Sequence, residues 1–189
     1  MTPNTNNNNV SSQVPSHWPR HIHYLREPVY HSSVPEALRV FLLGPPNPKS
    51  AGLSTSRPPV AIRSISDTSH PAHGQYGLFA TRKIPPHTRV IVYIGEIHCE
   101  DRPESDYDLS LYRSQDGVNV GVDASKMGNE ARFINDYRGI CAHPNAKFVD
   151  ERNGETGRLE MGVWSGHQGI KKGEEILVSY GKGWWNART

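Results

Sequence analysis

The chain has 189 residues, a net charge of +2 and 21% charged side chains, with 17 glycines and 15 prolines. That length suits one domain with a tail or a small appendage, enough to bury a single sizeable core, and the glycine and proline content implies many loops and modest helix. The charge is too small to point to duplex nucleic acid as the main partner, no apolar run of about eighteen residues could span a bilayer, and the first residues carry no basic-then-apolar secretory pattern.

Residues 1–16 are rich in Asn, Ser and Thr and are expected to be a disordered tail. From Trp18 apolar residues return, through Ile22, Tyr24, Leu25, Val29 and Tyr30, to the run Ala37–Leu43. Ser33 followed by Pro35 and Glu36 reads as a cap and first turn, which predicts a short helix over 35–43. Gly44-Pro45-Pro46 ends it, and 44–59 reads as a linker, so 17–57 forms an N-terminal extension.

Beyond residue 58 the pattern is of short strands. Val60–Ile65 alternates weakly, Gly77–Thr81 follows a glycine-bearing turn, and Arg89–Ile94 is β-branched and near-continuous, as in a buried strand. Asp108–Tyr112 and Val118–Val122 flank Gln115-Asp116-Gly117, a hairpin signal. Ser125 is expected to cap a short helix running to Arg132. Ala146–Val149 and Leu159–Trp164 flank a turn at Asn153-Gly154, and the last strand is expected at Glu175–Tyr180. The sum is a mostly-β domain of small sheets with few short helices.

Cys99 and Cys141 are the two cysteines, with no C-x-x-C, so the chain reads as reduced and intracellular, although a bridge between them is open. His17, His21, His23 and His31 lack companion cysteines and spaced carboxylates, and no metal site is expected.

Asn129-Glu130-Ala131-Arg132-Phe133-Ile134-Asn135-Asp136 packs apolar side chains against an abrupt polar stop. Asn135 offers an amide donor and acceptor and Asp136 offers acceptors, groups that could hold an ammonium, a ribose or an amino-acid head group. An ordinary element end explains the pair equally well. Three more segments stand out: His73-Gly74-Gln75-Tyr76-Gly77-Leu78-Phe79, a glycine-flanked turn entering a strand; Tyr93-Ile94-Gly95-Glu96 at a strand end; and Gly173-Glu174-Glu175-Ile176 leading to Tyr180-Gly181 and Trp184-Trp185.

In this order the four segments resemble the SET-domain protein lysine methyltransferases, over about residues 74–181. The resemblance implies a β-clip of small sheets with a threaded, pseudoknot-like C-terminal segment. It places the SET domain at 58–181, with an inserted segment at about 100–122 and an aromatic lid at 182–189. It implies S-adenosylmethionine as cofactor and a lysine of a histone tail or nucleosome as substrate. Two departures are visible. Gln75-Tyr76-Gly77 stands where the family has Gly-Trp-Gly, with Gly74 displaced by one, and Asn135-Asp136 stands where it has Asn-His. The zinc-binding cysteine clusters that often flank the domain are absent, leaving the lid to Trp184 and Trp185.

By the same resemblance Tyr180 is the catalytic tyrosine, with Tyr93 on the opposite channel wall. Gly74, Gln75, Tyr76, Arg132, Phe133, Asn135, Asp136 and Trp184 would hold the cofactor, and Tyr93, Tyr107 and Trp185 would meet the substrate. Transfer from a sulfonium to an amine needs donor and acceptor in line and a neutral lysine, whose free pKa is about 10.4; burial beside a positive charge lowers it. Aromatic walls suit an incoming cation. Glu96 reads as a structural carboxylate. The implied location is nuclear chromatin, with the cytoplasm as a second compartment. The 17–57 extension has no place in the family pattern and could cover the domain or form a homodimer contact. The alternative reading is a SET-like module that binds a protein partner with weak or no catalysis, for which Asp136 is the best argument. A nucleic-acid module ranks last, because Lys147, Arg152 and Arg158 in the charged loop at 147–158 are offset by Asp150, Glu151 and Glu155, and no direct sequence-specific nucleic-acid contact is expected.

Overall fold

The computed structural model describes residues 14–45 and 57–180. Five small sheets carry the chain. Strands β1 (His23–Tyr24), β2 (Val29–Tyr30), helix α1 (Glu36–Leu43), β3 (Val60–Ser64), β4 (Tyr76–Ala80), β5 (Arg89–Tyr93), β6 (Glu96–His98), β7 (Asp108–Arg113), β8 (Asn119–Asp123), β9 (Met127–Gly128), β10 (Asn135–Asp136), β11 (Ala146–Arg152), β12 (Leu159–Ser165) and β13 (Leu177–Val178) follow one another. The larger sheets run β11-β12-β5 and β2-β6-β8-β7; β3-β4, β1-β9 and β10-β13 are two-stranded. Mostly β with few helices is what the sequence predicts.

The β-branched and aliphatic runs build the core. Leu78, Val120, Val163, Ile176 and Val178 are fully buried and come from β4, β8, β12 and the C-terminal segment. Each such side chain contributes about 1.5–3 kcal/mol by leaving water. The hairpins at 115–117 and 153–154 form where turn residues interrupt alternating runs, and β11 and β12 pair along their full lengths.

The N-terminal extension covers the domain. β1 pairs in parallel with β9, β2 in parallel with β6, and Ile22, Leu25, Val34 and Leu42 are buried in this chain's own core. Much of the apolar surface that suggested a homodimer contact is thus taken up within the chain, while Val29, Val40 and Phe41 stay exposed.

The C-terminal segment is threaded. β13 lies parallel to β10, with Tyr137 N–H donating to Val178 O at 3.0 Å. On its other side Asn145 N–H donates to Leu177 O at 3.1 Å, and Leu177 N–H donates to Asn145 Oδ1 at 2.9 Å. The 135–145 loop therefore embraces Leu177–Val178, which brings the chain's end to its middle.

Four local expectations differ from what forms. Asn135-Asp136 is a strand, not a stop, because its partner lies about forty residues further on. The helix expected from Ser125 to Arg132 is instead β9 and a 3₁₀ turn, Glu130–Phe133, capped by Asn129. Met127-Gly128 gives its main chain to β1, and Asn129 Oδ1 accepts from Ala131 N–H, which restarts the chain as a new turn. Helix α1 has Pro35 at its N-cap and no side-chain cap, since Ser33 Oγ accepts from Cys99 N–H at 3.1 Å instead. The last strand shortens to Leu177–Val178 because the segment before it bridges antiparallel to β4 through Phe79 and Glu175.

Candidate active site

The threading sets Tyr180 beside Tyr93. Both line one pocket of ≈ 340 Å³, together with Tyr107, Arg132, Ile134 and Phe148. Tyr93 closes β5 and is 6% exposed, its ring edge-on to Phe148 with centroids 5.7 Å apart. Its hydroxyl donates to the carbonyl of Tyr107 at 2.7 Å, and the Tyr180 hydroxyl donates to the carbonyl of Ile134 at 2.7 Å. Burial, then the neighbouring phenol, pushes the Tyr93 pKa well up; burial, then the Tyr107 phenol and the Asp136 carboxylate, does the same for Tyr180. Both are neutral at physiological pH, with their protons committed to main-chain carbonyls. What such phenol oxygens can still do is accept.

Arg132 leaves the 3₁₀ turn, donates Nε–H to Ala124 O at 3.0 Å and lies over the Tyr107 ring at 4.3 Å. It thereby fixes the ring of Tyr107, whose carbonyl receives Tyr93. At the pocket's edge Asp108 accepts from His98, Nε2 to Oδ1 2.9 Å. His98 is 1% exposed, and its Nδ1 accepts from Glu100 N–H, so Nε2 carries the proton. Burial raises the Asp108 pKa, and the hydrogen bond from His98 opposes the rise. Gly121 makes this pairing possible: a Cβ there would stand 2.5 Å from His98 Nε2 and 2.6 Å from Asp108 Oδ1.

A second cluster gathers the other expected residues. Asn135 Nδ2–H donates to Glu175 Oε1 at 2.8 Å and to Tyr76 O at 3.3 Å, and Glu175 Oε2 pairs with His70 at 3.0 Å. Phe133 meets Tyr76 edge-on, with centroids 6.1 Å apart. Gly77 lets the Glu175 carboxylate come close: a Cβ there would displace it from its hydrogen bonds. Gln75 is exposed on the same turn, and Gly74 holds φ +81° there with open space around it.

The sequence-predicted residues therefore fall into groups: Tyr93, Tyr107, Arg132 and Tyr180 around the pocket; Tyr76, Phe133 and Asn135 together in the second cluster; Gln75 and Gly74 on the adjoining turn. The Asp136 carboxylate is bound to the main chain of Tyr180 and to Arg138. Its Oδ2 accepts from Tyr180 N–H at 2.8 Å and from Arg138 Nη1 at 2.8 Å, and its Oδ1 accepts from Arg138 N–H at 2.9 Å. Trp184 and Trp185 lie outside the described residues.

Three supports were not singled out from the sequence. Arg102 reaches Glu96 at 2.8 Å, Glu100 at 3.1 Å and Asp123 at 3.0 Å, which confirms Glu96 as structural. His70 orients Glu175. Asn129, 5% exposed, donates to Val92 O at 2.8 Å and accepts from Ile94 N–H at 3.2 Å, tying the turn to β5. The polar residues at 129 and 102 sit within otherwise ordinary turn sequence, and the only local signal is Gly121, a glycine inside a strand. Among the described residues no group of histidine, cysteine and carboxylate side chains could hold a metal ion.

The SET domain family matches residues 75–181, more than half of the chain, and the chain belongs to that family. It is 32% identical over 139 residues to the inactive histone-lysine N-methyltransferase 2E of Mus musculus, an alignment covering 69% of this chain and 7% of that protein. The Homo sapiens protein of the same name is 31% identical over 120 residues, covering 59% and 6%. The Drosophila melanogaster histone-lysine N-methyltransferase trithorax is 34% identical over 116 residues, covering 57% and 3%. The chain thus spans less than a tenth of the length of each of these relatives. Its fold is shared with a solved structure of ATXR5 in complex with histone H3.1 mono-methylated on R26, at TM-score 0.60 and 17% identity over 85% of this chain and 81% of that one.

Proposed function

We propose that the chain is an S-adenosylmethionine-dependent protein-lysine N-methyltransferase acting on a histone tail at nuclear chromatin. The observation that carries the reading is the pair of buried, neutral phenols in one pocket, each with its hydrogen donated to a main-chain carbonyl. The relatives' names and the histone peptide bound to ATXR5 support the substrate class.

The residues of the second cluster fit the cofactor. Asn135 spends its amide hydrogens on Glu175 and Tyr76, which leaves its carbonyl oxygen for an ammonium, while the rings of Tyr76 and Phe133 offer an apolar wall. The bound cofactor supplies an electrophilic methyl group on a sulfonium. The chain's own part is to hold the lysine and exclude water. A lysine entering the pocket leaves water, which lowers its pKa from about 10.4 toward the neutral amine. Tyr180 and Tyr93, unable to ionise at this pH, accept from the amine and orient its lone pair; the proton of the ammonium is lost to solvent before burial. Alignment of this kind is worth several kcal/mol of barrier.

A second reading, a SET-like module without catalysis, is favoured by Asp136 in the place of the family's histidine and by the two relatives called inactive. Calorimetry with S-adenosylmethionine and mass spectrometry of histones incubated with it separate the two. Cofactor binding with a mass gain of one or more methyl groups on a histone lysine is expected. Histone binding without cofactor binding would establish the second reading instead.

A further inference from the structure

The loop at 65–75 is closed on itself. Ile65 N–H donates to Gln75 O at 2.9 Å and Gly74 N–H donates to Ile65 O at 3.0 Å. Within it Asp67 Oδ1 accepts from Ser69 N–H at 2.9 Å and from the Ser69 hydroxyl at 2.7 Å. Pro71 packs against Gly139, where a Cβ would stand 2.7 Å from Pro71 Cγ, so the loop rests on the segment that embraces β13. His70 precedes the residues 75–181 that match the SET domain family, and its side chain is 9% exposed. The ring has one orientation: Ala72 N–H donates to Nδ1 at 3.0 Å, so Nε2 carries the hydrogen and donates it to Glu175 Oε2 at 3.0 Å.

The Glu175 side chain is 10% exposed, and its main chain is held, with Asn145 Nδ2 donating to Glu175 O at 2.7 Å and Ile176 N–H donating to Leu78 O at 2.8 Å. What this fixes is Asn135. Its amide hydrogens go to Glu175 Oε1 at 2.8 Å and to Tyr76 O at 3.3 Å, and its Oδ1 accepts from no group among the described residues. The two ends of an amide are nearly alike in size, so hydrogen-bond partners decide which end is left free. The longer bond to a neutral carbonyl is the weaker hold, and the shorter one to a carboxylate is charge-assisted. A buried carboxylate stripped of its donor is costly and turns toward water. Loss of His70 therefore loosens the amide that Glu175 holds. We propose, on the reading of the second cluster as the cofactor site, that His70 is a positioning residue: through Glu175 it keeps the Asn135 carbonyl oxygen free for the amino group at the cofactor's amino-acid end.

Calorimetry of the full chain with two ligands tests this: S-adenosylhomocysteine, and its desamino analogue, which keeps the adenosine, thioether and carboxylate. His70→Ala should weaken binding of the first about tenfold, the size of one charge-assisted hydrogen bond, and leave the second unchanged. His70→Gln, which can still donate to Glu175, should bring the first back to within about threefold of the parent. His70→Phe fills the same space without a donor; it should repeat the selective loss, and it decides the point if alanine unfolds the loop. Equal losses on both ligands would reduce His70 to a structural role and overturn the proposal. No loss, or a His70→Gln protein that binds no better than His70→Ala, would overturn it too. A parent that binds neither ligand overturns this proposal and the cofactor reading together. A parent that transfers no methyl group yet shows the selective loss upholds this proposal while the transferase reading falls.

Discussion

The main-chain N–H of Tyr180 donates to Oδ2 of Asp136 at 2.8 Å, so the residue that departs from the family pattern anchors the backbone of a residue that lines the pocket. Asp136 is 8% exposed and shares its carboxylate with Arg138. Because that arginine is 36% exposed, the pair itself contributes little, and the hydrogen bond to Tyr180 carries the effect. Asp136→Ala is expected to destabilise the fold by about 2 kcal/mol in urea unfolding and to lower kcat for methyl transfer. Asp136→Asn keeps an acceptor for Tyr180 and should lose less than half as much; equal losses would remove the anchoring role.

Gly121 is the second fixed point. Gly121→Ala drives a methyl group between His98 and Asp108 and should cost about 1–3 kcal/mol, as overpacking does. His98→Gln, which can still donate to Asp108, should cost less. A Gly121→Ala protein as stable as the parent would show that the strands separate freely there.

How much of this was legible from the chain alone differs by element. Strands with β-branched runs and local turns, such as Arg89–Tyr93 and the hairpins at 115–117 and 153–154, announce themselves because their signals are contained in a few residues. The order of the four motifs singled out Tyr93, Arg132, Asn135 and Tyr180, and the threading sets Tyr93, Arg132 and Tyr180 around one pocket, with Asn135 in the cluster of Tyr76 and Glu175. Asn135-Asp136 as a strand was not legible, because a two-residue parallel pair is set by the distant partner Leu177–Val178 and leaves no periodicity. The 125–132 helix failed for a related reason: Asn129 has poor helix propensity but excellent capping geometry, and the tertiary bonds to Val92 and Ile94 decide between them.

Asn129→Ala tests that decision. It leaves the Val92 carbonyl and the Ile94 amide without their partner in a largely buried place, and each such group costs about 1–3 kcal/mol. A loss of about 2–4 kcal/mol in urea unfolding is expected; a loss below half a kcal/mol, on the order of a surface substitution, would mean that water replaces the side chain.

The phenols set the alkaline limit of stability. Burial and then Glu130 push Tyr24 up to about 12, and burial also raises Tyr93 and Tyr180. In the unfolded chain a tyrosine ionises near 10. The folded state therefore holds these protons more tightly, and their stabilising effect is complete below about pH 10 and is lost progressively as pH rises toward the folded values. Unfolding free energy measured between neutral pH and 12 should fall above about 10, and absorbance should show these three phenols ionising late in the folded protein. Ionisation of all tyrosines near 10 with no loss of structure would contradict the burial described.

The most direct measurement is methyl transfer from labelled S-adenosylmethionine to histones by the parent and by Tyr180→Phe, with cofactor binding followed in both. The phenol oxygen is lost while the ring, the threading and the Asp136 anchor remain, so cofactor binding should persist and transfer should fall by about a hundredfold. A parent chain that binds cofactor and histone but transfers nothing, or a Tyr180→Phe protein as active as the parent, would contradict the account.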